Sequence, residues 1–328
     1  MIFVVVLLTL TMLLLFFYLF PAFYISELVI SFLPYIIFFA LWCFVLGIAL
    51  LKNKKIGIYV KFVPLFILIF GLIFFLFSKK YNSFYTGEWF GCDTVNTGDD
   101  SGLDILYSNI LYKNSDYTGL QIWIEKYDPD MLMIVEFTDD HNENLKNILQ
   151  EKYPYSARTT WSQIYFGSVV FSKYPITNLT NQVDQWSWRY SYFHTRYNSK
   201  NYYIYLVHAS SPVTYKYFEM RNKHFDTLGQ DFAKHIKTRT KNDKVLMLGD
   251  FNVSPWSYYY DKLVFSLTGL EDITKRFTIL FTWRIKFLPF LQSHIDHIFT
   301  SNNISFENVE KVKTPWSDHY GFFMQNIK

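Results

Sequence analysis

The chain has 328 residues, of which 51% are hydrophobic and 21% aromatic, and carries a formal net charge of +3 at pH 7. Up to Lys80 its only acidic or basic residues are Glu27 and six lysines, so the remainder holds 25 basic and 27 acidic residues, a net of −2. That near-neutral remainder lacks the basic footprint of a general nucleic-acid binder, and two cysteines, Cys43 inside an apolar run and Cys92 beyond it, exclude a disulfide framework.

Three apolar stretches come first in chain order. Residues 2–20 carry no charge, residues 28–51 are softened only by Ser31 and Pro34, and residues 56–77 carry Lys61 near enough to their start for it to snorkel. About 20 apolar residues suffice for a helix to cross the hydrocarbon core, so residues 1–80 are expected to form an anchor of about three transmembrane helices with the lipid bilayer as partner. The first stretch lacks a basic start and a small-x-small cleavage pattern before Pro21, which favours retention over removal as a signal peptide. Lys52, Lys54 and Lys55 lie between the second and third stretches, while the loop before the second has only Glu27. The positive-inside bias then makes this an integral, multi-pass membrane protein with an extracytoplasmic C-terminal domain, although Lys79 and Lys80 pull the other way.

Residues 81–102, with Gly87, Gly91 and Gly98, read as a linker, and a domain over 103–328 follows. Leu103 to Leu111 reads as a strand ending near Asn109, and Leu120, Trp123, Ile124 and Tyr127 have helical spacing. Met131 to Val135 is a buried strand that stops at Glu136, and His141 to Lys152 is expected to be one helix. Gly167 to Phe171 and Tyr202 to Val207 are β-rich runs, Tyr217 to Ile236 is helical, and Lys244 to Leu248, Ile295 to Phe299 and Gly321 to Met324 are further strands. Strands mixed with helices at this spacing point to a layered α/β sandwich.

Polar residues fall at the strand ends: Asn109, Glu136, His208, Asp250 with Asn252, Asp296, and Asp318 with His319. Any one of these alone reads as a turn or cap residue. Six such places restricted to Asn, Asp, Glu and His supply the oxygen donors that a hard cation such as Mg²⁺ prefers, with imidazoles to donate to a phosphoryl group. His141, His194, His224 and His235 read as surface or structural residues, and His297 as a packing residue beside Asp296. Trp186 to Tyr192 reads as strand and core ahead of a platform for stacking bases.

The segments Ser108-Asn109, Ile134-Val135-Glu136, Gly167 to Ile176, Val207-His208 to Pro212, Gly249-Asp250-Phe251-Asn252, His294-Ile295-Asp296-His297 and Ser317-Asp318-His319 resemble, in this order, the motif set of the endonuclease/exonuclease/phosphatase family. The anchor resembles that family's membrane-bound bacterial branch. The resemblance implies a four-layered α/β sandwich, two packed β-sheets flanked by helices, and metal-dependent in-line attack of water on a phosphoester or phosphoanhydride with Mg²⁺ or Mn²⁺ as cofactor. It also implies Glu136 as principal metal ligand with Asn109 and Asp318 completing or supporting the metal site, Asp250 orienting or deprotonating the water, and Asn252 holding phosphate and nucleophile. His208 and His319 would flank the phosphate, with Asp296 fixing the tautomer of His319. Thr282-Trp283 resembles a Thr-Trp-Pro segment of the membrane-bound branch, with Arg284 in place of the proline. Three functions follow: hydrolysis of a membrane-lipid-linked phosphate or diphosphate, a tethered nuclease or phosphodiesterase acting on nucleic acid, and a non-catalytic binding module. No obligate protein partner is legible.

Overall fold

The computed structural model describes residues 102–158, 167–179, 190–276 and 280–326, together with residues 9, 12, 16–17, 19–36, 39 and 42 of the N-terminal region. The chain divides into two compact units. One comprises residues 1–89, 254–261 and 275–279, and the other comprises residues 90–253, 262–274 and 280–328.

The described residues of the first unit include α1 (Tyr24–Ile30). Glu27, expected in a loop, lies within it, is buried, and accepts a 2.5 Å hydrogen bond from Ser257 Oγ. The expected spans 2–20, 28–51 and 56–77 and the linker 81–102 fall mostly outside the described residues. Among the described residues no helix is long and apolar enough to cross a membrane.

The second unit holds two six-stranded mixed sheets and a two-stranded hairpin. The first sheet runs in the order β13 (Asn308–Lys313), β14 (Tyr320–Gln325), β1 (Ile105–Asn109), β2 (Met131–Val135), β4 (Ser168–Ser172), β3 (Tyr155–Arg158). The second runs β5 (Ile176–Asn178), β6 (Tyr190–Tyr197), β7 (Lys200–His208), β8 (Lys244–Asp250), β12 (Asp296–Ser301), β9 (Leu270–Asp272). Each sheet contains one parallel pair joined through a helix. β1 leads through α2 (Tyr117–Tyr127) to β2, and β7 leads through α5 (Tyr215–Ile236) to β8. A parallel pair needs such a crossover, which is what places two strand ends side by side at one rim.

Strand alternation sorts the side chains. Leu106, Ile110, Leu132 and Ile134 pack with Leu120, Trp123 and Ile124 of α2 in one apolar cluster. The intervening residues face the other sheet: β1 packs on β8 and β2 on β7, and the Tyr107 hydroxyl donates to Asp296 Oδ1 at 2.7 Å. Local signals set the helix starts. Asp116 accepts from the Gly119 N–H at the start of α2, and Thr214 accepts from the Tyr217 N–H at the start of α5, which begins two residues earlier than the spacing predicts.

The single helix expected over His141 to Lys152 is two helices, α3 (Asp139–Asn144) and α4 (Lys146–Lys152), broken at Leu145. The buried face formed by His141, Leu145, Ile148 and Leu149 continues across the break, which is why the spacing reads as one helix. Thr138 and His141 form a capping box, and His141 is buried between that cap and the Asn114 carbonyl, 2.8 Å from its Nε2. Tyr190 and Tyr192 are buried in β6, in keeping with strand and core residues, while Trp186 lies outside the described residues. The hairpin, β10 (Trp283–Ile285) and β11 (Leu288–Ser293), has no counterpart in the strands read from sequence.

Candidate active site

All eight residues singled out in the sequence meet at one rim of the second unit. Asn109 ends β1 in parallel register with Val135, so Glu136 follows beside it. Glu136 has φ 59°, in the left-handed region that non-glycine residues rarely occupy. The conformation is held from both carboxylate oxygens: Oε1 accepts from Asn109 Nδ2 at 3.0 Å and Oε2 from the Tyr112 N–H at 2.9 Å. The Asn109 amide also donates to Asp250 Oδ2 at 3.2 Å, while its own oxygen accepts from the Leu111 N–H at 3.0 Å. Asn109 therefore bridges two carboxylates as a donor.

In the second sheet the site residues occupy one row. His208 and Asp250 are register partners across the parallel β7–β8 pair, and Asp296 is opposite Asp250 across β8–β12. The preceding Gly249 has φ 149°, and a Cβ there would run into the Val207 carbonyl oxygen, so only glycine lets β8 approach β7 this closely. Asn252 also has a left-handed φ of 51°. Its N–H donates to Asp250 Oδ1 at 2.9 Å, its side-chain amide to the Ala209 carbonyl at 3.0 Å, and its own carbonyl accepts from Arg221 Nη1 at 2.8 Å. Arg221 is a fully buried side chain of α5.

The third element is the loop before β14. Ser317 Oγ donates to the Asn109 carbonyl at 2.8 Å and accepts from the His319 N–H at 3.0 Å, which ties His319 to the end of β1. His319 Nδ1 lies 3.0 Å from Asp296 Oδ2, and its Nε2 lies 3.7 Å from Asp250 Oδ2. His208 Nε2 lies 3.7 Å from Glu136 Oε1. The Trp283 indole donates to Asp318 Oδ2 at 3.1 Å, and the Arg284 N–H donates to the Asp318 carbonyl at 3.0 Å. A proline at 284 could not make the second bond, so the arginine alters the motif and supplies a contact.

Electrostatics set the roles apart. Burial pushes the Asp250 carboxyl up to about 8, with the Asp296 charge adding to the rise. Burial likewise raises Glu136, against the hydrogen bonds from Asn109 and Tyr112. Burial acts against a charged His319, but the Asp296 and Asp250 carboxylates outweigh it and hold the imidazole up to about 10. Burial also keeps the Tyr107 phenol well above its usual range. Carboxylates gathered out of water are costly unless positive charge is placed among them.

Asp250, Asp296 and His319 bring ligand atoms within 4.8 Å of one another. Asp296, however, is fully enclosed, its side chain 0% exposed against 16% for Glu136, with one oxygen taking the Tyr107 hydroxyl and the other facing His319 Nδ1. We therefore read Asp296 and His319 as an imidazole and its orienting carboxylate. The groups that fit a divalent cation are Glu136 and Asp318. Asp318 Oδ1 is buried with no hydrogen-bond partner among the described residues, and the Asp318 charge contributes to the raised pKa of Glu136. Oxygen donors without thiolates suit Mg²⁺ or Mn²⁺.

Several contributors were missed in the sequence. Tyr107 read as part of an apolar run, although its position two residues before Asn109 puts it on the same strand face. Thr282, noted in the sequence only for its Thr-Trp resemblance, accepts through Oγ1 from the Ile295 and Asp296 N–H groups at 3.0 Å each, a contact the motif does not reveal. Among the other histidines, His297 is buried with Nδ1 2.9 Å from Asp272 Oδ2 and Nε2 2.8 Å from the Val253 carbonyl. The His235 ring stacks on Tyr192, His194 Nε2 lies 3.3 Å from Asn201 Oδ1, and His224 is buried on α5.

Residues 106–319 match the sequence pattern of the Endonuclease/Exonuclease/phosphatase family. No curated protein sequence matches the chain. Among solved structures, the 3' phosphatase NExo from Neisseria bound to a product DNA hairpin is similar with a TM-score of 0.55 at 17% identity, over 69% of this chain and 100% of its own. TDP2 from D. rerio complexed with a single-strand DNA product gives 0.53 at 17%, over 69% and 98%. The human Nocturnin catalytic domain with bound sulfate gives 0.51 at 15%, over 68% and 93%. At such identities the likeness is one of fold.

Proposed function

The chain belongs to the endonuclease/exonuclease/phosphatase family, whose members hydrolyse phosphoester bonds, and from that premise we propose that it is a divalent-metal-dependent phosphoesterase acting on a membrane-lipid-linked phosphate or diphosphate. The observation that carries the hydrolytic reading is the meeting of Asn109, Glu136, His208, Asp250, Asn252, Asp296, Asp318 and His319 at one rim.

A cation held by Glu136 and Asp318, with Asn109 supporting, would neutralise charge on the phosphoryl oxygens. Asp250 orients the attacking water and, in its ionised form, takes its proton, a form that positive charge at the neighbouring metal site would favour. Asn252 has one amide hydrogen held by the Ala209 carbonyl and the other available to a phosphate oxygen. Asp296 orients His319, so that Nε2 faces the reacting group opposite His208. Together these residues perform an in-line displacement by water.

The lipid-linked substrate is supported by the apolar residues 1–80, read as a multi-pass anchor, and by the near-neutral remainder of the chain. A tether holds the site near membrane substrates and raises their effective concentration. An extracytoplasmic site follows from the lysines between the second and third apolar stretches. The second reading, a tethered nuclease or phosphodiesterase, is favoured by the DNA products in the similar NExo and TDP2 structures.

The test is release of phosphate or nucleotide by the purified full chain, with Mg²⁺ or Mn²⁺ against EDTA, on a polyprenyl diphosphate and on DNA. Metal-dependent release from the lipid alone is expected. Cleavage of DNA alone transfers the assignment to the nuclease reading, and inactivity on both removes the hydrolase proposal.

A further inference from the structure

The hairpin formed by β10 and β11 carries large apolar side chains in water. Phe287 is 85% exposed, Phe290 65% and Leu288 42%, and Trp316, in the loop before Ser317, is 70% exposed. Exposed apolar residues are ordinary when scattered, but a cluster on one projecting element marks an interaction surface. Trp316 has φ 53°, a strained conformation for a side chain of its size.

This surface is attached to the active site through its own backbone. Trp283 forms a β-bridge with His319, the Tyr320 N–H donates to the Thr282 carbonyl at 2.7 Å, and Arg284 Nη2 donates to the Ser317 carbonyl at 3.3 Å. The root of the hairpin is thus the edge of the catalytic rim, and Trp316 adjoins the same root. The hairpin itself, residues 282–293, includes Arg284 and Lys286 and no acid, and on β13 Lys311 and Lys313 stand beside Glu310, with Lys311 Nζ donating to the Phe281 carbonyl at 3.2 Å.

We propose that this hairpin, with Trp316 beside its root, inserts into the surface of an anionic bilayer and brings the catalytic rim to phosphate esters in the headgroup layer. The proposal rests on the lipid-linked reading above. An apolar tip flanked by lysine and arginine matches both layers of that surface, since the tip enters the acyl boundary while the cations meet anionic headgroups. Phenylalanine and tryptophan beside aliphatic Leu288, Pro289 and Leu291 suit lipid better than a nucleic-acid strand, because base stacking needs planar faces along the groove and the aliphatic residues offer none.

The experiment places an environment-sensitive fluorophore on Phe287→Cys in the full chain, with Cys43→Ser and Cys92→Ser, reconstituted in phosphatidylcholine vesicles with and without phosphatidylglycerol. In the anionic vesicles the emission is expected to shift to the blue, with quenching by nitroxide lipid and protection from aqueous iodide. A second arm measures the double variant Phe287→Ser/Phe290→Ser. Its turnover of a polyprenyl diphosphate in anionic vesicles should fall by about tenfold or more, with no change on a water-soluble phosphate ester. A probe that iodide quenches in both vesicles overturns the proposal, as does a probe that responds to single-stranded DNA and not to lipid. Failure of the unsubstituted chain to hydrolyse either substrate defeats the lipid-phosphatase reading instead, because the probe reports insertion without catalysis.

Discussion

Asp296 and His297 are neighbours on β12 that point to opposite faces of the sheet, and each completes a buried pair of imidazole and carboxylate. Asp296 meets His319 at 3.0 Å, and His297 meets Asp272 at 2.9 Å. The pairs differ in what the second ring nitrogen does. His297 Nε2 is bonded to the Val253 carbonyl at 2.8 Å, and Asp272 Oδ1 also takes the Thr274 N–H at 2.9 Å and hydroxyl at 2.6 Å, so that pair is closed. His319 Nε2 stands 3.7 Å from Asp250, beyond hydrogen-bond length, and faces the rim. An imidazole with both nitrogens committed holds structure, whereas one with a nitrogen left toward a site is available to a substrate.

The sharpest way to break this comparison is to remove each histidine. His319→Ala should lower turnover per folded molecule by roughly a thousandfold, within the range of a lost general acid or donor, and should lower the urea midpoint as well, because it leaves the buried Asp296 carboxylate without its partner. His297→Ala should lower the urea midpoint alone, keeping most of the turnover per folded molecule. Asp272→Asn belongs with it: removing one partner of a buried charged pair costs about 3–5 kcal/mol, measurable by urea titration. A large loss of turnover in His297→Ala at unchanged stability would put both pairs in the same class.

The two faces should also respond to pH with opposite signs. Burial acts to raise Asp272, but the His297 charge and the hydrogen bonds from His297 and Thr274 outweigh it and hold its carboxyl below the ordinary range. A depressed folded pKa contributes stability that is present above the unfolded value and lost as pH falls through the folded one, so this pair fails on the acid side. Asp250 is raised to about 8 by burial and by Asp296. Its contribution is fully present below the ordinary carboxylate value of about 4 and is lost as pH rises toward the folded value. In EDTA at the alkaline end of that window, Asp250→Asn should therefore melt higher than the unsubstituted chain. The expected gain is about 2 kcal/mol, or roughly 4–8 °C for a domain of this size. Mg²⁺ should stabilise the unsubstituted chain more at the alkaline end than at the acid end. Equal melting of the two chains in EDTA would contradict the raised carboxyl.

This contrast bears on what a sequence reveals. The site was legible because each of its residues interrupts or ends an apolar run, and parallel pairs such as β1–β2 and β7–β8 bring such ends together. A layered α/β sandwich was legible from the same alternation, and its division into two packed sheets from the family resemblance. The division between open and closed pairs was not, because it depends on which carbonyl lies across from a ring nitrogen, and Val253 is 44 residues from His297 in the chain. The contacts of Tyr107 and Thr282 were hidden for a related reason, since their polar atoms act across the inter-sheet layer or between separate segments of chain. The hairpin of β10 and β11 was missed because its exposed Phe287 and Phe290 break the inside-outside rule on which strand reading depends. The expected membrane spans lie mostly outside the described residues.

The smallest effect tests how far the open face extends beyond its histidine. The Trp283 indole donates to Asp318 Oδ2 at 3.1 Å, while Asp318 Oδ1 has no partner among the described residues. If Asp318 offers Oδ1 to the cation, the indole is the group that aims it. Trp283→Phe keeps most of the ring volume and removes only the donor, so the carboxylate gains rotational freedom without a large cavity. Metal-ligand partners of this kind contribute about 10- to 100-fold to affinity, and a shift toward the lower end is expected because the Arg284 backbone bond still fixes the loop. The half-activating Mg²⁺ concentration should rise by about tenfold, with turnover at saturating Mg²⁺ nearly restored and the urea midpoint unmoved. A fall in turnover that Mg²⁺ cannot restore would mean that Trp283 acts through the bridged His319, and would place the indole with the imidazole rather than with the metal.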